Sequence, residues 1–362
     1  MTRDQIQEEA LQALKGKKRA GLAVSVGVGK TLIALKHMNS MYTDNLSVLV
    51  VAPKKSIIKS WQDEARKHNL EHLLDHIIFS TYISLPKQSL FYDIVYFDEC
   101  HSLLFSHQDW LYRYGGMIIG LTGTPPKYKT SEKGTMVEKF CPIVYSYITD
   151  TAVNDKILND YRIKVHMLKL NVHKTIPKSS KDGRRTWFTS EKDEYNYWTQ
   201  AINSATSPKQ QQIMRIMRMK SLMEFPSKEQ YAQKLFDASQ TKCILFTNTQ
   251  KQADKMCTHS YHSKNIASED NLELFKNGTI TKLSCVLQLS EGVNIPNLKE
   301  GIIMHAYGNE RKSSQRIGRL LRLSKDEVAT IHILCYVNTI DEKWVNESIS
   351  HLDQSKIELI TP

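Results

Sequence analysis

The chain lacks the features that would place it outside the soluble globular proteins. Its apolar runs are short: stretches such as Val48 to Ala52 fall far below the roughly 18–20 apolar residues that cross a bilayer, so a membrane protein is not expected. The opening Met1-Thr2-Arg3-Asp4-Gln5 has no apolar signal core, and secretion is not expected either. The six cysteines (Cys100, Cys141, Cys243, Cys257, Cys285 and Cys335) form no C-x-x-C pair. That argues against a structural zinc or a disulfide framework and for reduced thiols in a cytosol, bacterial or that of a virus-infected host. With 15 Gly and 10 Pro in 362 residues, fibrous and linker-like chains are excluded. Repeats and low-complexity tracts are also missing. What is present is positive charge: 49 Lys and Arg against 38 Asp and Glu give a formal +11, which favours a polyanionic partner. A hydrophobic content of 41% beside 24% charged residues is that of a folded protein, and the length suits two domains of roughly 150–200 residues.

Short β-branched runs alternate with amphipathic segments through the first 150 or so residues, the pattern of a parallel α/β sheet. The expected strands are Gly21 to Ser25, Ser47 to Ala52, His76 to Ser80, Asp93 to Phe97 and Met117 to Leu121, most of them apolar throughout, as strands covered on both faces should be. Thr31 to Met38 and Ser56 to His68 carry helical periodicity. From about Thr149 the alternation breaks, and Asn171 to Ser239 mixes a basic stretch, Lys178 to Arg185, with helix-like runs rich in Gln, Met and Lys. This reads as a helical insertion in a second domain, whose basic stretch suits either a grip on a duplex or a mobile loop. Strands are expected again at Lys242 to Phe246, Leu283 to Leu287, Gly301 to His305 and Thr330 to Tyr336, with a closing helix over Ile340 to Leu352.

Three segments carry chemistry. Val26-Gly27-Val28-Gly29-Lys30-Thr31 follows an expected strand and opens an expected helix. Backbone N–H groups and the positive end of the helix dipole converge there on a point suited to a nucleotide phosphate. Gly27 and Gly29 let the backbone approach, Lys30 can reach β/γ oxygens, and the Thr31 hydroxyl can ligate Mg²⁺. The strict G-x-x-x-x-G-K-[ST] pattern fails only at its first position, where Val24 stands. The strand Asp93 to Phe97 runs into Asp98-Glu99-Cys100-His101. Two carboxylates at the carboxyl end of a strand lie where α/β sheets bind ligands. Asp98 suits a metal, and Glu99 suits orienting and deprotonating a water. A third strand ends in Thr122-Gly123-Thr124-Pro125, whose hydroxyls can bond to the acidic loop and transmit its state.

In this order the three segments resemble motifs I, II and III of the superfamily 2 helicases and translocases. Further matches span nearly the whole chain. Val50 to Lys55 with Trp61 resembles motif Ia, Ser80-Thr81-Tyr82 motif Ib, and Gln7 the upstream adenine-reading glutamine. Cys243 to Asn248 resembles motif IV, Ser290-Glu291-Gly292-Val293-Asn294-Ile295-Pro296 motif V, and Gln315 to Arg322 motif VI. The resemblance implies an α/β fold of two tandem RecA-like lobes with a parallel sheet in each, 1–148 and 149–362, the second bearing a helical insertion over about 171–239. It implies ATP with Mg²⁺ in the cleft between the lobes and nucleic acid across both. Gly27, Val28, Gly29, Lys30, Thr31, Gln7, Gly292 and Gln315 would then bind nucleotide, and Thr31 and Asp98 the metal. Lys54, Lys55, Thr81, Tyr82, Thr247 and Asn248 would meet the sugar-phosphate backbone, while His101, Thr122 and Thr124 would couple the two activities.

Arg319 and Arg322 lie three apart, so on a helix they share a face. Their guanidinium forks can stabilise charge developing on a γ-phosphate, or that basic face can be solvated or rest on phosphate backbone. The Asp-Glu-x-His form of the acidic segment departs from RNA helicases of the Asp-Glu-Ala-Asp type. Residues 315–322 are similar to those of branched-DNA and repair helicases, and the stretch from Thr189 to Asp237 to chromatin-remodeller-type translocases. Both act on DNA, so the expectation is an ATP-dependent DNA helicase or translocase of minimal, phage-like size, monomeric or working with a protein partner. Branched or duplex DNA is favoured over RNA. An RNA helicase, or a nucleic-acid clamp with little ATPase activity, are the rival readings.

Overall fold

The structure is a computed structural model that describes all residues except 26, 55, 127, 156, 158, 181, 287–294, 307–326 and 351. By contacts, residues 1–160 build one compact unit, and 161–286, 295–306 and 328–362 another.

In the first unit the apolar runs become strands β1 (Arg19–Val24), β2 (Val48–Ala52), β3 (Ile77–Thr81), β4 (Ile94–Asp98), β5 (Met117–Thr122) and β6 (Ile143–Tyr147). They form a six-stranded sheet in the order β3-β2-β4-β5-β1-β6, with every pairing parallel. Helix α1 (Arg3–Leu14) precedes the sheet, α2 (Lys30–Asn39), α3 (Ser56–Lys67), α4 (Gln108–Arg113) and α5 (Glu132–Phe140) connect strands, a 3-10 turn over Tyr82–Lys87 joins β3 to β4, and α6 (Thr149–Asn154) follows the sheet. Every residue of β2 and β4 is buried, which is why both read as unbroken apolar runs rather than alternating ones. The carboxyl ends of the adjacent strands β4, β5 and β1 carry the acidic pair, the Thr-Gly-Thr segment and the glycine loop. Strand order thus gathers three segments that lie far apart in sequence. β6 was not expected: Ile143-Val144-Tyr145-Ser146-Tyr147 is a half-exposed edge strand, too short and too mixed to show a period.

The second unit contains β7 (Asp160–Leu168), β8 (Ile176–Ser179), β9 (Thr186–Thr189), α7 (Glu191–Asn203), α8 (Pro208–Glu224), α9 (Pro226–Ala238), β10 (Cys243–Phe246), α10 (Gln250–Met256), β11 (Ser260–Tyr261), α11 (Ser268–Asn277), β12 (Lys282–Cys285), β13 (Glu300–Ile303), β14 (Val328–Tyr336), α12 (Ile340–Ile349) and β15 (Ile357–Ile360). Its main sheet runs β11-β12-β10-β13-β14-β7-β15. The β11–β12, β12–β10, β10–β13, β13–β14 and β7–β15 pairs are parallel. The two parallel-sheet α/β lobes are those expected. The basic stretch begins at the end of β8, and its residues 180 and 182–185 lie in the turn of an antiparallel hairpin, β8–β9. Its register pairs Lys178 with Trp187 and Pro177 with Phe188. Ser190 and Ser207 cap α7 and α8 by accepting from Asp193 and Gln210 amides, and Pro226 starts α9.

Polar anchors tie these helices to the sheet. Lys228, on α9, is 1% exposed; it ion-pairs with the buried Asp341 of α12 and sits 4.6 Å from the Tyr336 ring centroid. Asp341 also accepts from the Tyr336 amide at 2.9 Å, and Glu191 of α7 accepts from the Ser227 amide and hydroxyl at 2.8 and 2.7 Å. Among the described residues no helix is long and apolar enough to cross a membrane.

Candidate active site

The glycine loop follows from backbone demand. Gly27 and Gly29 adopt φ of 96° and 105°, a region that glycine enters without steric cost. Gly29 caps α2 without a side chain, so the first amides of the helix stay open to an outside acceptor. A Cβ on Gly29 would stand 3.0 Å from Gln7 Nε2. Gln7 itself is 4% exposed; its Nε2 donates to Val28 O at 3.3 Å, and its Oε1 accepts from Lys36 Nζ at 2.8 Å. The Gln7 side chain expected to read adenine therefore holds the loop and α2 together in this structure. Lys30 and Thr31 open α2, both half-buried.

Lys30 Nζ lies 3.7 Å from Glu99 Oε1. Glu99 has φ 53° and ψ 56°, a left-handed conformation uncommon for a non-glycine residue that is often met at functional sites. Its Oε2 is buried and accepts no hydrogen bond, with His101 Nδ1 3.4 Å away. His101, 1% exposed, also meets Thr122 Oγ1 at 2.6 Å, and Thr122 Oγ1 accepts from the Thr124 amide at 3.1 Å. Thr124 Oγ1 is likewise buried without a hydrogen-bond partner. The structure thus brings Lys30, Asp98, Glu99, His101, Thr122 and Thr124 together at one end of the sheet. The open helix amides, the glycine turn and the two orphaned buried oxygens fit a phosphate group and a bound water.

Asp98 is held from two sides. Trp61 Nε1, on α3, donates to its Oδ2 at 2.9 Å, and the Tyr82 hydroxyl donates to its carbonyl at 2.8 Å. Burial pushes the Asp98 carboxyl up from 3.8 to about 6. The neighbouring Glu99 charge adds to the rise, while the Trp61 bond and Lys30 oppose it. Sequence reasoning missed these props: partners 37 and 16 residues apart leave no mark in spacing. The presence of both aromatics in recognised motifs was the only signal.

Of the residues expected to meet nucleic acid, Lys54 is exposed just beyond β2, and Thr81 ends the neighbouring β3 with its hydroxyl donating to Ser84 Oγ at 3.3 Å. Tyr82 is 6% exposed, with its hydroxyl turned inward onto Asp98 instead of outward to a polymer. Thr247 is 1% exposed and bonds to the Thr249 and Cys285 carbonyls at 3.2 and 3.3 Å, whereas Asn248 is half-buried. Lys55, Gly292, Gln315, Arg319 and Arg322 lie outside the described residues.

Residues 1–127 match the family model of the type III restriction enzyme res subunit, and residues 227–324 that of the helicase conserved C-terminal domain. The DNA 3'-5' translocase XPB2 of Sulfurisphaera tokodaii is 24% identical across 91% of this chain and 80% of that protein. Among solved structures, the DNA-bound ATP-dependent Type ISP restriction-modification enzyme LlaBIII superposes with a TM-score of 0.64 at 14% identity; the match covers 99% of this chain and 31% of that one. A fragment of a putative HsdR subunit of a type I restriction enzyme from Vibrio vulnificus gives 0.61 at 16% identity, covering 99% and 68%. These structural likenesses establish the RecA-like fold of the lobes. The two family models fall on the two lobes and a translocase aligns along nearly the whole length, which together support a superfamily 2 helicase or translocase.

Proposed function

We propose that this chain is an ATP-driven motor on DNA, a translocase or helicase that couples hydrolysis to movement on, or remodelling of, duplex or branched DNA. The observation that carries this is the meeting of Lys30, Asp98, Glu99, His101 and Thr122 at adjacent strand ends beside the glycine loop. Gly27, Val28 and Gly29 would cradle the phosphates with backbone amides, and Lys30 would balance β/γ charge. Thr31 and Asp98 would hold a Mg²⁺, which when bound neutralises charge on the transferred phosphoryl group. Glu99 would orient the attacking water with the buried oxygen that has no hydrogen-bond partner, and take its proton. His101 touches both Glu99 and Thr122, so displacement of the Thr122 segment would reach the water-positioning carboxylate through one intervening side chain. Gln7 would support the loop rather than the base. Arg319, Arg322, Gly292 and Gln315 are proposed for the γ-phosphate and nucleotide on the resemblance of their motifs alone.

The choice of DNA rests on the similarity to a DNA translocase and to a DNA-bound restriction-modification enzyme, and on the +11 charge. Lys54, Lys55, Thr81 and Asn248 are the proposed backbone contacts. Trp61 follows Lys54 on α3 and Tyr82 follows Thr81 in the chain, and both end on Asp98. A strand gripped at Lys54 and Thr81 would therefore bear on the carboxylate proposed to hold the metal. Steady-state ATPase rates without polymer and with single-stranded, duplex and forked DNA and RNA test the reading, with Glu99→Gln as the contamination control. Stimulation by duplex or forked DNA, lost in Glu99→Gln, is expected. Stimulation by RNA alone, or by no polymer, would overturn it.

A further inference from the structure

The β8–β9 hairpin and α7, residues 176–203, hold five basic residues and four acidic ones. Two of the four acids are turned inward: Glu191 is 1% exposed and engaged by Ser227, and Glu194 is 8% exposed, accepting from Lys178, Trp198 and Ser221 at 2.9, 2.8 and 3.1 Å. The outer face of the β8–β9 hairpin and α7 is left more positive than the sequence count suggests. It is also aromatic. Trp187, Phe188 and Tyr197 are 49%, 61% and 61% exposed, an unusual concentration for large rings in a folded chain.

The register arranges them. Lys178 stands opposite Trp187, on the hairpin face whose Ile176 packs against the apolar core of the second unit. Lys178 then reaches Glu194, and Tyr197 lies three residues further along the same helix. Residues opposite across a ladder, or three apart on a helix, are neighbours at about 5–6 Å between Cβ atoms, so Trp187 and Tyr197 flank one ion pair. Phe188, paired with Pro177, occupies the other face of the ribbon. At the tip, Ser180 and Asp182 hold a turn in which Gly183 takes φ 71°, presenting Arg184 with its side chain 87% exposed and the exposed Arg185 beside it.

Phosphate backbone requires only cations, and a fully paired duplex keeps its base faces stacked away from side chains. Exposed rings set among cations suit unstacked bases. We propose that the β8–β9 hairpin with α7 binds single-stranded nucleic acid wrapped around the ribbon, with Trp187 and Tyr197 stacking bases on one face and Phe188 on the other while Arg184 and Arg185 at the tip hold phosphates. This deepens the reading of the chain as a DNA motor and rests on it.

The test uses the full chain, with fluorescein-labelled oligothymidylate and a blunt DNA duplex of equal length, followed by anisotropy across a salt series. The DNA-free ATPase rate serves as the folding control. Stacking one base on one ring typically counts for roughly a factor of five to a hundred in affinity. Trp187→Ala with Phe188→Ala and Tyr197→Ala should therefore weaken single-strand binding at least tenfold, with an unchanged salt slope and duplex binding within about twofold. Arg184→Gln with Arg185→Gln should lower the single-strand salt slope by about 1.4, or 0.7 per cation. Wild-type single-strand affinity in the ring variant, or equal loss on both probes, overturns the proposal. If the alanines depress the DNA-free rate, Leu at the same three positions keeps bulk without the π face, and the same outcomes decide. Wild-type chain that binds neither probe would refute the motor reading itself, and the surface with it.

Discussion

Asp98 should destabilise the lobe that it serves, and Asp98→Asn should release that cost. Its buried carboxyl is raised from 3.8 to about 6, first by burial and then by Glu99, with the Trp61 hydrogen bond and Lys30 only partly offsetting them. Because the folded carboxyl holds its proton more tightly than the unfolded one, it favours the fold below pH 3.8 and loses that support as the pH rises through about 6. A displacement of roughly two units at 1.36 kcal/mol each makes the penalty at pH 8 about 3 kcal/mol at most. Asparagine keeps an oxygen for Trp61 Nε1 and leaves the Tyr82 bond, which ends on the backbone, untouched. Urea unfolding followed by tryptophan fluorescence, in EDTA and without nucleotide, should show Asp98→Asn more stable than wild type by about 1–3 kcal/mol at pH 8. The gain should shrink as the pH falls below 6 and be nearly gone at pH 4. The same variant should lose ATP turnover. A variant less stable than wild type at pH 8, or a gain that does not change with pH, would refute this account of the site.

Lys30→Ala should abolish or greatly weaken ATP use, and also leave Glu99 without its cation 3.7 Å away; normal turnover would dismiss the phosphate-loop assignment. Gly29→Ala forces a Cβ into φ 105° and to 3.0 Å from Gln7 Nε2, so a loss of about 1–3 kcal/mol in stability is expected, together with weaker nucleotide binding in a fluorescent-nucleotide titration. Arg319→Ala or Arg322→Ala should slow DNA-stimulated hydrolysis while nucleotide affinity stays nearly intact, and a pure affinity loss would make that arginine a binding group. Lys228→Met strands the buried Asp341 carboxylate, and breaking such a pair costs about 3–5 kcal/mol, a drop that denaturant unfolding would register.

The fold was legible where burial is complete. β2 and β4 are covered on both faces, and their runs Val48 to Ala52 and Ile94 to Phe97 stand out without a periodicity argument. β6 and β15 escaped notice because edge strands of four or five residues are too short to show a period. β8 and β9 escaped for a different reason. Of their eight residues only Ile176, Lys178 and Thr189 are even half-buried, so beyond the packing of Ile176 the hairpin is held by ladder bonds, its turn and the Lys178–Glu194 pair.

For the site, sequence order was enough to name residues that come together at the strand ends, because helix starts and strand ends fix where their backbones point. The residues that hold those groups in place were beyond its reach. Trp61 and Tyr82 lie in stretches whose resemblance assigns them to the polymer, yet each turns inward and ends on Asp98. Nothing local demands this: the direction is set by β2, β3 and β4 lying side by side, which carries the segments after β2 and β3 over the end of β4. Gln7 is parallel, with its amide spent on the Val28 carbonyl and Lys36. A motif therefore identifies which residues crowd the site, and packing decides which of them face the ligand. A second row turned inward joins separate loops: Trp61 ties the segment after β2 to the Asp98 carboxylate, and Tyr82 ties the segment after β3 to the Asp98 carbonyl.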